Sequence, residues 1–168
     1  KGNFTQKIAF QKPPVWGHSS FEMADFNHDS EPDFLVTNGD NGDYESPPKP
    51  YHGIRIYLAE KGEYKEAWFY PMHGAYKALA RDFDGDGDLD LFWITASEQH
   101  LYRNDAGKFS EVTAASGALA TKSTAPNVAA VAGDYDNDGK SDLFVTRDGG
   151  LVLFHNDGNG KFSDVSSA

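Results

Sequence analysis

The chain reads as an all-β protein of four-stranded antiparallel blades, about three of them plus one extra strand, forming part of a larger or oligomer-completed β-propeller. Three observations predict this. An acidic nine-residue stretch, D-x-[DN]-x-D-[GS]-x-x-D, begins at Asp25, Asp82 and Asp134, and spacings of 57 and 52 residues mark a repeat array. Each copy runs straight into a short apolar run, Phe34-Leu35-Val36, Leu91-Phe92-Trp93-Ile94 or Leu143-Phe144-Val145, so it joins two strands. No window keeps a 3.6-residue apolar period before Gly or Pro interrupts it; Ala114 to Ala120 comes nearest, enough for one turn at most.

The elements follow in chain order. Lys1-Gly2-Asn3-Phe4-Thr5 matches the start of a fourth strand, so residues 1–12 are expected to be the orphan outer strand of a preceding blade. Blade 1 spans 13–71, with strands at Ser20 to Ala24, Asp33 to Thr37, Gly53 to Leu58 and Glu63 to Tyr70 and a long insertion from Asn38 to His52. Blade 2 spans 72–120, with strands at Tyr76 to Arg81, Asp90 to Ala96, Gln99 to Asn104 and Lys108 to Thr113. Blade 3 spans 121–168 and shows the unit most plainly. Asn127 to Gly133 and Asp142 to Thr146 flank the acidic loop, Asp148-Gly149 turns into Leu151 to His155, and Asn156 to Gly160 turns into Lys161 to Val165. Four short antiparallel strands per repeat make a propeller blade. Ala78, Ala80, Ala130 and Ala132 suit the crowded innermost strands, where Phe21 and Met23 are bulkier. Three blades fall short of the roughly four to eight that close a ring. Other blades, or copies of the chain, are therefore expected to cover the open ends, which would otherwise expose sheet edges and apolar faces.

Oxygen donors at positions 1, 3 and 5 with a sharp turn at position 6 suit a hard cation of flexible coordination, and Ca²⁺ is the first candidate. An EF-hand would place a bidentate Glu at position 12, where this chain has Val36, Trp93 and Val145. The last ligand must then be the Asp at position 9, namely Asp33, Asp90 or Asp142. Without a cation, so many carboxylates on one small loop would repel one another. Up to three ions are expected, one per loop. The first site should be the weakest, because Asn27 removes a charge and Ser30 stands where Gly accepts positive φ at low cost.

Composition narrows the remaining classes. The 168 residues are 39% apolar and 14% aromatic, which is globular composition. The net charge is -11, but 13 of the 26 acidic residues lie in the three loops, so the acidity is largely ligand charge. With no basic stripe to neutralise phosphates, nucleic acid is not an expected partner. The absence of cysteine removes disulfides, thiolate metal sites and cysteine nucleophiles. No membrane span or signal peptide is visible, and a start at Lys1 inside a repeat reads as a mature or excised piece.

Ala80-Arg81-Asp82-Phe83-Asp84-Gly85-Asp86-Gly87-Asp88-Leu89-Asp90-Leu91-Phe92 and Ala132-Gly133-Asp134-Tyr135-Asp136-Asn137-Asp138-Gly139-Lys140-Ser141-Asp142-Leu143-Phe144 resemble the FG-GAP or VCBS repeats, the Ca²⁺-loop blades also found in integrin alpha propeller heads. The resemblance covers nearly the whole chain. It implies calcium held by Asp25, Asn27, Asp29 and Asp33; by Asp82, Asp84, Asp86 and Asp90; and by Asp134, Asp136, Asp138 and Asp142. Glu31, Asp88 and Lys140 at position 7 would offer only their backbone carbonyls. It also implies a ring of seven or eight blades in full-length members, an extracellular, cell-surface or periplasmic location, and adhesion or ligand binding more often than catalysis.

Strand parity places the acidic loops at one rim with the turns between third and fourth strands. The opposite rim collects Trp16, His18, the insertion with Tyr44, Tyr51 and His52, then His73, Tyr76 and Ser97 to His100. Aromatic and histidine side chains gathered in loops suggest a binding face for a glycan or a protein. Against this, Trp16 and Tyr76 read as wedges between adjacent blades, and Ser46 to Pro50 as a packed surface loop. His28 is read as a solvated spacer, and His155, in a strand, is expected to find its partner there. No G-x-S-x-G, H-E-x-x-H or phosphate loop occurs, so a non-catalytic module is expected. The alternatives are the propeller part of a secreted polysaccharide-active enzyme, using His18, His73 and Glu45, or a purely structural, recombined or designed scaffold.

Overall fold

The structure, a computed structural model, describes residues 2–39, 49–73, 75 and 77–167. The described residues form three four-stranded antiparallel sheets, each with its strands in sequence order. The first holds β1 (His18–Ala24), β2 (Asp33–Asn38), β3 (Gly53–Glu60) and β4 (Glu63–Pro71). The second holds β5 (Ala78–Arg81), β6 (Asp90–Ile94), β7 (Gln99–Asp105) and β8 (Lys108–Glu111). The third holds β9 (Asn127–Gly133), β10 (Asp142–Arg147), β11 (Gly150–Gly158) and β12 (Lys161–Asp164). The all-β, blade-built architecture is thus the one the repeats predict. Where Ala114 to Ala120 was expected to give one turn, two 3-10 turns form, Thr113–Ala115 and Ala118–Ala120.

The chain divides into two compact units, Lys1–Tyr76 and Lys77–Ala168. In the first, residues 2–13, expected to include the outer strand of a preceding blade, pair with no strand of the described residues. Instead Phe10 docks on blade 1, stacked on Tyr57 with ring centroids 4.6 Å apart and edge-on to Phe34 and Tyr64. An outer strand needs a neighbour to pair with; an aromatic side chain needs only a face to cover.

In the second unit, alternation along the strands sends one face of each sheet into a shared core. Leu79, Phe92 and Leu101, level with one another across blade 2, meet Leu143, Val145, Val152, Phe154 and Phe162 of blade 3, with Ala130 and Ala132 packed alongside. Small residues on β9 let the sheets approach, as the innermost-strand pattern predicts. Phe83, the second residue of its acidic loop, is inserted between the blades and meets Phe162 edge-on at 5.9 Å. Asn156 of β11 donates its amide to the Phe83 carbonyl at 3.0 Å, so loop and core are joined by a polar bond as well as by packing. The corresponding face of blade 3 carries Val131, Phe144 and Leu153 in the same register, with Tyr135 in the place of Phe83. This face is more open: Tyr135 is 51% exposed and Val131 53%, against 1% for Phe83, while Phe144 and Leu153 are half-buried.

Candidate metal centre

Each acidic loop winds on its own carboxylates. The first Asp accepts backbone N–H bonds from residues near the loop's far end: Asp25 from Asp29 and Ser30, Asp82 from Gly85 and Gly87, Asp134 from Asp138 and Gly139, at 2.7 to 3.2 Å. The residue at position 3 accepts the N–H of position 5, and the Asp at position 5 accepts that of position 7. This coil needs positive φ at two places. Position 6 (Ser30, Gly87, Gly139) is the one the motif reveals; position 4 (His28, Gly85, Asn137) is a second. The first loop carries non-glycine residues at both, at +58° and +67°. Side chains there are strained where glycine is not.

The winding turns carboxylates toward a common point. In the second loop Asp82, Asp84 and Asp86 each bring a ligand oxygen within 4.8 Å of the others, and in the third Asp134, Asp136 and Asp138 do the same. Three carboxylates on one point suit a hard divalent cation. The loops differ in what else is present. Asn27 donates its amide to Asp29 at 2.9 Å in the first loop, and Lys140 bonds Asp138 in the third. The Asp88 carboxylate turns away to accept the Ala106 N–H at 2.7 Å. This leaves only the backbone of position 7 for a cation, and it puts the β7–β8 turn at the loop's end of the blade, as strand parity predicts.

The Asp at position 9 has a role that sequence reasoning missed. Asp33, Asp90 and Asp142 are all buried. One oxygen of each accepts the N–H of position 2 (Phe26, Phe83, Tyr135) at 2.8 to 3.1 Å. The other accepts an N–H from the blade's third strand (Ala59, Asn104, Asn156) at 2.7 to 2.9 Å. Each is a clamp between the root of the loop and the neighbouring strand. Lone pairs remain on both oxygens for a cation.

The charge of the second loop is held at a cost. Burial, with the charges of Asp84 and Asp86 adding to it, pushes Asp90 up to about 7 despite its two N–H donors. Burial also raises Asp84, helped by Asp86 and Asp82. In the third loop the Lys140 ammonium holds Asp138 below the usual carboxylate range.

At the opposite end of blade 1 the structure brings together Trp16, His18, Tyr51 and His52. Trp16 stacks on Tyr51 at 5.5 Å and on His18 at 6.4 Å, and Tyr51 meets His52 edge-on at 5.2 Å. The buried Arg55 guanidinium lies 4.6 Å from the Trp16 ring and 3.8 Å from that of Phe69, and it bonds Glu66 at 3.0 Å. Trp16 therefore has a packing partner of its own. His73 is exposed, and Tyr44, Glu45 and Tyr76 lie outside the described residues. In the second unit, the Ser97 to His100 end borders a cavity of about 460 Å³ lined by Glu98, His100, Glu111, Thr113, Leu119 and Lys122 among others. His100 stands between Glu111 at 3.2 Å and Glu98 at 3.7 Å and is stacked on Trp93. Glu111 and Lys122 were not singled out from the sequence: Glu111 ends β8, and Lys122 reaches the cavity only through the turns that follow that strand.

No curated protein matches the chain. The family model described as FG-GAP-like repeat matches residues 82–145 and again 134–168, which together take in every strand of the second unit but β5, and just over half of the chain. The matches begin on the first Asp of the second and third loops, where the carboxylates converge. The chain belongs to the FG-GAP-like repeat family.

Proposed function

We propose that this β-propeller module binds calcium through its acidic loops and presents the opposite ends of its blades, outside the cell, to a glycan or protein ligand without catalysing a reaction. The observation that carries the reading is the convergence of Asp82, Asp84 and Asp86 on one point with no cationic side chain bonded to any of the three among the described residues. Asp134, Asp136 and Asp138 form a second convergent set, in which Lys140 bonds Asp138, and Asp25, Asn27 and Asp29 a weaker third. Calcium supplies the positive charge that lets the carboxylates stay ionised together. Asp90, Asp142 and Asp33 tie each loop to its blade whether or not the ion is present. Further blades, or second copies, would complete the ring against the open face of blade 3.

The ligand end is proposed to include the cavity beside His100, where glutamate, imidazole and ammonium groups surround the apolar floor of Leu119. Such a mixture suits a polar ligand of moderate size. Calorimetric titration of the chelated protein with Ca²⁺ tests the metal reading. Saturable binding, with a melting point rising as RT ln(1 + [L]/Kd) requires, about 2.7 kcal/mol at a hundredfold excess over Kd, is expected. No heat and an unchanged melting point would overturn it.

A further inference from the structure

We propose that the third acidic loop is a mixed nitrogen and oxygen site in which His155 supplies an imidazole ligand, so that this loop selects a first-row divalent metal such as Zn²⁺ or Co²⁺ over Ca²⁺. The inference rests on the reading of the loops as metal sites and goes beyond it in naming which loop departs from calcium.

His155 was expected to be satisfied within its strand, and it is not. Its Nδ1 is buried and makes no hydrogen bond. It lies 3.3 Å from Asp136 Oδ2 and 3.3 Å from Asp142 Oδ1, and Asp136, Asp142 and His155 form a ligand group with donor atoms within 4.8 Å of one another. Donors bonded to one metal at about 2.0 to 2.2 Å sit roughly 3.0 to 3.6 Å apart around it, so the spacing is that of a coordination edge. Imidazole suits zinc, cobalt and nickel, whereas calcium takes oxygen. The far side of the ring is also arranged for ligation. Nε2 faces Asp157 Oδ1 at 3.7 Å, and a carboxylate on that side favours the tautomer with its proton on Nε2 and its lone pair on Nδ1.

The other blades supply the control. The residue preceding the clamped N–H of the third strand is Leu58 in blade 1, Arg103 in blade 2 and His155 in blade 3. Leu58 has no donor atom, and the Arg103 guanidinium turns to Asp105 at 2.8 Å. At this position of the third strand only blade 3 has a nitrogen lone pair to offer.

Co²⁺ is the probe, because its visible absorption reports ligand type. The full chain should take up one Co²⁺ with an absorption band that Ca²⁺ at equal concentration does not remove. His155→Gln should weaken Co²⁺ binding at least tenfold while leaving the Asp84-dependent Ca²⁺ site unchanged, with the β-sheet circular dichroism spectrum checking the fold. Arg103→His should add a second Co²⁺ of the same spectrum. Undiminished Co²⁺ affinity in His155→Gln would overturn the inference, and so would an increase, which would mark His155 as an internal counter-ion. If neither Ca²⁺ nor Co²⁺ binds the parent chain, the calcium reading itself fails; if Ca²⁺ binds and Co²⁺ does not depend on His155, only this inference does.

Discussion

Two aspartates in one motif can do different work, and substitution separates them. Asp33 accepts the buried N–H groups of Phe26 and Ala59, so Asp33→Ala leaves both without an acceptor. Unsatisfied buried groups cost about 1 to 3 kcal/mol each. Asp33→Ala should therefore destabilise blade 1 by about 2 to 5 kcal/mol even in chelator, as denaturant melts would measure. Asp84 accepts a single exposed N–H at 3.2 Å. Asp84→Ala should be nearly neutral in chelator and costly only in calcium. Two other residues give opposite responses to acid. Burial, Arg55 and Lys12 lower His18, so the unfolded chain binds that proton more readily and its contribution to stability is lost as pH falls below about 6.5. Asp90 is raised to about 7, so in chelator the folded state gains stability as pH falls from about 7 toward about 4. Fluorescence of the Trp16 surroundings and amide exchange in β6 would follow the two units separately. The position 1, 3 and 5 carboxylates were legible in the sequence because winding brings near neighbours together. The position 9 clamp was not, since its second donor comes from a strand 14 or 26 residues further on.

At the scale of elements, strands were legible wherever alternation and a turn signal coincided, and Asn127–Gly133 matches to the residue. The reading failed where a segment is held by something other than a ladder. Phe4 is fully exposed, and Phe10 holds its segment by ring contacts, so a strand-like pattern at the start of the chain had no strand to pair with. The turns after β8 are another such case. Gly117 has φ +78° and bridges Phe162, and a Cβ there would lie 2.6 Å from the Phe162 carbonyl oxygen. Gly117→Ala should lower the stability of the second unit by about 1 to 3 kcal/mol. Thermal melts would register the loss, and an unchanged transition would mean that the segment can relax away from Phe162.

For the whole molecule, the open face of blade 3 has the strongest consequence. Blade 2 buries Leu79, Phe92, Leu101 and Phe83 against its neighbour, and blade 3 offers at the same places Val131 and Tyr135, both about half exposed, and Phe144 and Leu153, only half-buried. An apolar face of this kind favours association. Sedimentation should show the isolated chain in assemblies, and Val131→Lys should shift it toward monomer without altering its circular dichroism. The repeat period made this face predictable, but the parity of the strands had to be seen to tell which side of the sheet it is.

The clamps and the coil of each acidic loop have unequal strength, and this decides how the protein fails when stripped of its ion. The buried carboxylates of Asp90 and Asp142 hold the bases of their loops to β7 and β11, while the tips are kept only by solvent-exposed bonds. A protease added to the chelated protein should nick the Asp84 to Asp88 tip first and leave the cut halves travelling as one species on a sizing column. Damage of that sort is local and silent, so a preparation can look intact by mass of the complex after its backbone has been severed.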